Sequence, residues 1–104
     1  MIDLKKFYKK GYIVIENILS DGEIKLLKEK LNVVKDIQHK EFSKDNLKNI
    51  GELNMVRCPL FYDSYFLNLI TKSQVIDICE KILGKYFILS LQNSISPSER
   101  IFSI

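Results

Sequence analysis

Ser20-Asp21-Gly22-Glu23 restricts this chain more than any other stretch, because it sets the start of a helix. The Ser20 hydroxyl can accept from the Glu23 amide while the Glu23 carboxylate reaches back to the Ser20 amide. Ile24, Leu27, Leu31 and Val34 then recur at helical spacing, and Asp21 with Lys25 is a favourable i,i+4 pair. The pattern predicts an amphipathic helix over 21–36 whose apolar stripe faces a core.

The rest of the chain divides around that helix. Residues 3–10 predict a short helix with Leu4, Phe7 and Tyr8 on one side and lysines on the other. Gly11 is placed to end it, as a residue that tolerates positive φ. Tyr12-Ile13-Val14-Ile15-Glu16 reads as a strand, and the polar segment 38–53 as a surface loop. A second short strand is expected over Asn54–Cys58, stopped by Pro59. Asp63 is positioned to cap a short helix carrying Phe66, Leu67 and Ile70. Thr71 and Gln74 suggest a second capping box before a helix over 73–83 that Gly84 closes. Tyr86–Gln92 is the strongest strand candidate, with Phe87, Leu89 and Leu91 on one face and Tyr86, Ile88, Ser90 and Gln92 on the other. Ser94–Arg100, with Pro97, reads as a turn.

Composition bounds the class. With 104 residues, 46% hydrophobic and 28% charged, the chain is long enough for one globular domain and too apolar for disorder. The net charge of +3 is carried mainly by lysines interleaved with 13 acids, and Arg57 and Arg100 are the only arginines. That argues for a solvated surface rather than a nucleic-acid interface. No apolar run approaches the roughly 20 residues of a membrane span. Cys58 and Cys79 fit no metal spacing, and the start MIDLKKFYKKG lacks a signal-peptide pattern. A cytoplasmic protein with free, buried thiols is expected.

The inventory of chemical groups is sparse. His39 is the single histidine, expected in a solvated loop, and with Glu41 it makes too small a set for a catalytic metal, which normally takes three protein ligands. No glycine-rich phosphate loop exists, and neither cysteine has a histidine beside it in sequence. No catalytic or metal-binding residue is therefore assigned. The one sharper feature is the polar end of the Tyr86–Gln92 segment, where Ser90 and Gln92 must find a partner, water or a ligand. A solvent-facing sheet end and a pocket wall both satisfy that requirement.

The order of the pieces resembles a known family. FYKKGYIVIENILSDGEIKLLKEKL is similar to the opening of phytanoyl-CoA dioxygenases, through Phe7, Gly11, Tyr12, Val14, Ser20, Glu23 and Leu27. Leu83-Gly84, Gln92-Asn93 and Pro97 match the family's later pattern of a helix ending in L-G, a strand ending near Q-N and a loop with Pro. The resemblance implies an α+β fold: N-terminal helices and the first strands of a double-stranded β-helix, or jelly roll, with residues 1–104 as a single partial domain. It implies Fe(II)/2-oxoglutarate-dependent hydroxylation of a small-molecule substrate. It also implies that Gln92, Asn93 and Ser90 belong to the wall that meets 2-oxoglutarate or substrate. The family's H-x-D motif and later His, which hold the iron, are not found in the sequence, which stops at Ile104. The chain by itself is expected to bind neither Fe(II) nor 2-oxoglutarate in a defined site. A reading of another class remains open: a stand-alone α+β interaction module without catalytic activity. In both, exposed strand edges favour self-association, and neither a membrane nor a nucleic acid is expected as a partner.

Overall fold

The computed structural model describes residues 3–96, in which helices dominate and two short strands pair. Helix α1 (Leu4–Lys10) starts where the Asp3 carboxylate accepts from the Lys6 amide. It ends at Gly11, whose φ of 81° lets its N–H return to the Phe7 carbonyl. Helix α2 (Asp21–Phe42) opens with the full capping box: the Glu23 amide donates to Ser20 Oγ and the Ser20 amide donates to Glu23 Oε1, each at 3.1 Å. Helices α3 (Lys44–Asn49), α4 (Tyr65–Ile70) and α5 (Ser73–Leu83) follow, with a 3-10 turn at Pro59–Phe61. Strands β1 (Met55–Arg57) and β2 (Asn93–Ile95) form an antiparallel pair in the register Met55↔Ile95, Val56↔Ser94, Arg57↔Asn93.

The core gathers on the inner stripe of α2. Val34, Val56 and Phe66 are buried together, and Leu27, Leu31, Leu60, Tyr62 and Tyr65 pack around them. Helix α2 runs six residues past the predicted end because the stripe continues through a polar residue. Gln38 stands four residues after Val34, on the same face, and is only 4% exposed. Its side-chain Nε2 donates to the Arg57 carbonyl at 2.7 Å, and its Oε1 accepts from the Arg57 amide at 3.1 Å. The amide thus occupies the edge of β1 as a neighbouring strand would. Beside it, His39 Nε2 donates to the Leu53 carbonyl at 2.9 Å and Lys35 Nζ donates to Asn54 Oδ1 at 3.4 Å.

Several expectations change in three dimensions. Segment 38–53 is not a loop: its first residues extend α2 and Lys44–Asn49 form α3, capped by Ser43. Tyr12–Glu16 and Tyr86–Gln92 form no ladder among the described residues, because a β-prone run becomes a strand only beside another. The strand forms at 93–95 instead, inside the segment read as a turn; the remainder of that turn, 97–100, lies outside the described residues. Thr71 and Gln74 make no capping box, since Thr71 Oγ1 donates back to the Leu67 carbonyl at 2.7 Å. Asp63 does support α4, accepting the Tyr65 amide at 2.9 Å. Helix α2 lies against β1, whereas α5 contributes no buried residue.

Ion pairs tie α4 and α5 to α2. Lys30 Nζ sits 2.8 Å from Asp63 Oδ2 and 5.4 Å from the Tyr65 ring centroid. Lys72 pairs with Glu23, and the Tyr65 hydroxyl donates to the Glu23 carbonyl at 3.2 Å. The Lys72 ammonium and the Ser20 amide hold the Glu23 carboxyl below its ordinary range. Lys30 does the same for Asp63, and Arg57 for Glu52.

Two outcomes follow. Gln38→Ala strands both backbone groups of Arg57 and is expected to lower the unfolding free energy by about 2–4 kcal/mol in chemical denaturation; a loss under about 0.5 kcal/mol would show that water replaces the amide. Three carboxyls with depressed folded-state pKa values contribute stability that is present above their unfolded values, near pH 4, and lost as pH falls through the folded ones. The thermal midpoint is therefore expected to fall on acidification below about pH 4.5. Glu23→Gln should flatten that acid limb, and an unchanged limb would remove Glu23 from the account.

Candidate functional site

Gln92 and Asn93, two of the three predicted wall residues, meet the turn that joins β1 to α4. Cys58 stands at the head of that turn with φ 45° and ψ 61°, a left-handed conformation that side chains other than glycine, asparagine or aspartate seldom adopt. Its amide is shared between the Gln92 carbonyl at 2.9 Å and Asn93 Oδ1 at 3.1 Å. The Gln92 side chain spans the turn: Oε1 accepts from the Leu60 amide at 2.9 Å and Nε2 donates to the Phe66 carbonyl at 3.3 Å. Two glutamines thereby bracket one turn, Gln38 from α2 and Gln92 from the approach to β2.

Gln92 and Asn93 come together on Cys58, and Ser90 stands apart from them in an exposed position. Gln92 is partly buried with both ends of its amide engaged, so it meets a ligand only by releasing Leu60 or Phe66. The 3.3 Å bond to Phe66 is the longer and the easier to exchange.

The remaining polar groups near the turn are paired. Arg57 forks onto Glu52, with Nε 2.8 Å from Oε2 and a second bond through its terminal nitrogen. The Tyr62 hydroxyl donates to Glu41 Oε2 at 2.9 Å; burial, and then that carboxylate, push the phenol above its ordinary range. His39, expected in solvent, is partly buried and bonded to Leu53, and Cys58, expected to be buried, is exposed. The first revision follows from the longer α2, which carries His39 to the Leu53 carbonyl. Among the described residues, no group of three or more His, Cys, Asp or Glu side chains is placed to hold a metal ion. These residues therefore do not fit an iron centre.

Two concave surfaces flank α5. Glu16, Asn17, Gln74, Asp77 and Lys81 border a polar hollow of about 290 Å³. On the other side Leu67, Ile76, Cys79, Leu83 and Phe87 are among the residues lining an apolar groove of about 540 Å³ whose described lining contains no charged side chain. Sequence reading missed this groove; its signal was the helical spacing of Val75 and Cys79, both of which line it, and α5 contributes no buried residue. No helix of the described residues is long and apolar enough to cross a membrane.

Two proteins described as uncharacterized, one from Mycobacterium bovis and one from Mycobacterium tuberculosis, are each 31% identical to the chain over 94 residues. The match covers 89% of this chain and 34% of each relative, so the chain spans about a third of the length of the curated relatives it matches. No family model matches the chain. No solved structure matches it either.

Proposed function

We propose that the chain is the N-terminal part of an Fe(II)/2-oxoglutarate-dependent oxygenase resembling the phytanoyl-CoA dioxygenases, acting on a small molecule in the cytoplasm. The observation that carries this reading is the order of its landmarks: Phe7 and Gly11-Tyr12, the Ser20–Glu23 box, the helix closing at Leu83-Gly84, then Gln92-Asn93. The structure adds local support, since Gly11 ends α1, Ser20 caps α2 and Gly84 caps α5 through its bond to the Glu80 carbonyl. In this reading the chain supplies a scaffold and one wall, and the jelly roll and the iron ligands come from further polypeptide. Ser90, Gln92 and Asn93 remain the proposed wall, with Gln92 holding the turn that shapes it. A second reading, a stand-alone interaction module, is favoured by the uncharged groove beside α5.

The decisive assay uses the mycobacterial relatives, which carry the matched segment within a longer chain. With Fe(II), O2 and ascorbate as reductant they are expected to convert 2-oxoglutarate to succinate and CO2, and to lose that activity on chelation. Absence of both 2-oxoglutarate binding and turnover in the iron-loaded protein would overturn the oxygenase reading. The 104-residue chain alone is expected to form no stoichiometric Fe(II) complex by calorimetry; a micromolar complex lost in His39→Ala would be the contrary result. Gln92→Ala is expected to destabilise the chain by about 1–3 kcal/mol by orphaning the Leu60 amide, whereas Ser90→Ala stays within about 0.5 kcal/mol. Equal melting of Gln92→Ala and the parent would free Gln92 for a ligand role alone.

A further inference from the structure

We infer that the polar hollow beside α5 binds a small dibasic zwitterion, a molecule with two cationic groups and one carboxylate, of which a free basic amino acid is the simplest case. The inference rests on neither the oxygenase reading nor the interaction-module reading. Two segments build the hollow: residues 15–18 and one face of α5. Gln74, Asp77 and Lys81 stand three and four residues apart, so each lies about one turn from the next on the same side of the helix. In the other segment Asn17 has a φ of 62°, a left-handed conformation that asparagine accepts more readily than most side chains. Glu16 and Asn17 both border the hollow.

The side chains here differ from those at the turn because the fold does not engage them. The ion pairs among the described residues use Lys30, Arg57 and Lys72 as cations, and Glu16, Asp77 and Lys81 take part in none of them. No side-chain hydrogen bond among the described residues engages Asn17 or Gln74. The hollow therefore offers two carboxylates, one ammonium and two carboxamides. Charge selects the ligand class. Glu16 and Asp77 match two cationic groups, and Lys81 matches one carboxylate. A simple anion would face two negative charges against one positive. An Asp77–Lys81 pair along the helix would be exposed and weak, so a ligand can separate it. The apolar part of the lining fits the same class. Ile15, Ile18 and Ile78 are half-buried in the hollow, and a long aliphatic stem lies on such a surface while its charged ends reach the polar groups. At about 290 Å³ the hollow suits a ligand of that size.

The test is calorimetric titration of the full 104-residue chain with L-arginine at neutral pH and low ionic strength, where screening is least. Saturable binding with a Kd of about 0.1–1 mM is expected, a strength in keeping with exposed ion pairs. Agmatine, which lacks the carboxylate, and L-citrulline, which has a neutral urea in place of the guanidinium, should each bind at least tenfold more weakly. Asp77→Asn should weaken arginine at least tenfold with unchanged helical circular dichroism, because Asp77 is exposed. Lys81→Gln should weaken arginine but not agmatine, since Lys81 serves the carboxylate. Glu80→Gln makes the same charge change on α5 outside the hollow and should leave arginine binding within twofold. No saturation by about 10 mM arginine, equal affinity for citrulline, or equal effects of Glu80→Gln and Asp77→Asn would each overturn the inference.

Discussion

The two hydrogen bonds between the Gln38 amide and the Arg57 backbone are the constraint around which the described fold is arranged. Strand β1 is three residues long and has β2 on one side. Its other edge would be open, and an unpaired backbone group held away from water costs as much as a lost hydrogen bond. A carboxamide presents one acceptor and two donors in nearly the spacing of a peptide group. Gln38 therefore closes the strand edge with a side chain, and α2 is pressed against β1. That contact brings Val34 over Val56 and leaves room for Phe66 to complete the cluster.

A core of this size needs help from polar contacts. Val34, Leu47, Val56, Pro59 and Phe66 are the buried apolar side chains among the described residues. Gln92 repeats the logic of Gln38 from the opposite side, satisfying Leu60 and Phe66 where the 3-10 turn and α4 expose their backbone. The ion pairs Lys30–Asp63 and Glu23–Lys72 then hold α4 and the start of α5 to α2. Exposed pairs contribute little singly. Glu23 gains weight by serving three contacts at once: cap, Lys72 partner and, through its carbonyl, acceptor for Tyr65.

The same economy shapes any functional role. Side chains near the turn that could bind a ligand are occupied by the fold: Gln92 by two backbone groups, Asn93 by Cys58, Arg57 by Glu52. What remains open among the described residues flanks α5: the polar hollow on one side and the apolar groove on the other. Contiguous exposed apolar surface such as the groove is the kind that further polypeptide commonly covers.

Local chemistry determined a good part of the structure. The Ser20–Glu23 box started α2, Gly11 and Gly84 ended α1 and α5, and Asn54–Cys58 held a strand stopped by Pro59, because caps, positive φ and proline act over a few residues. The end of α2 was not legible, since Gln38 is polar by type and buried by partnership, and its partner is 19 residues away. Nor was the identity of the second strand. Tyr86–Gln92 has the stronger propensity, but Asn93–Ile95 is where the chain comes beside β1, and a ladder forms where the backbones meet. Ser90, Gln92 and Asn93 were legible as polar groups in need of partners. Only the tertiary structure decided that Gln92 and Asn93 find them in the turn below, because a hydrogen bond depends on distance in space and the sequence records distance along the chain.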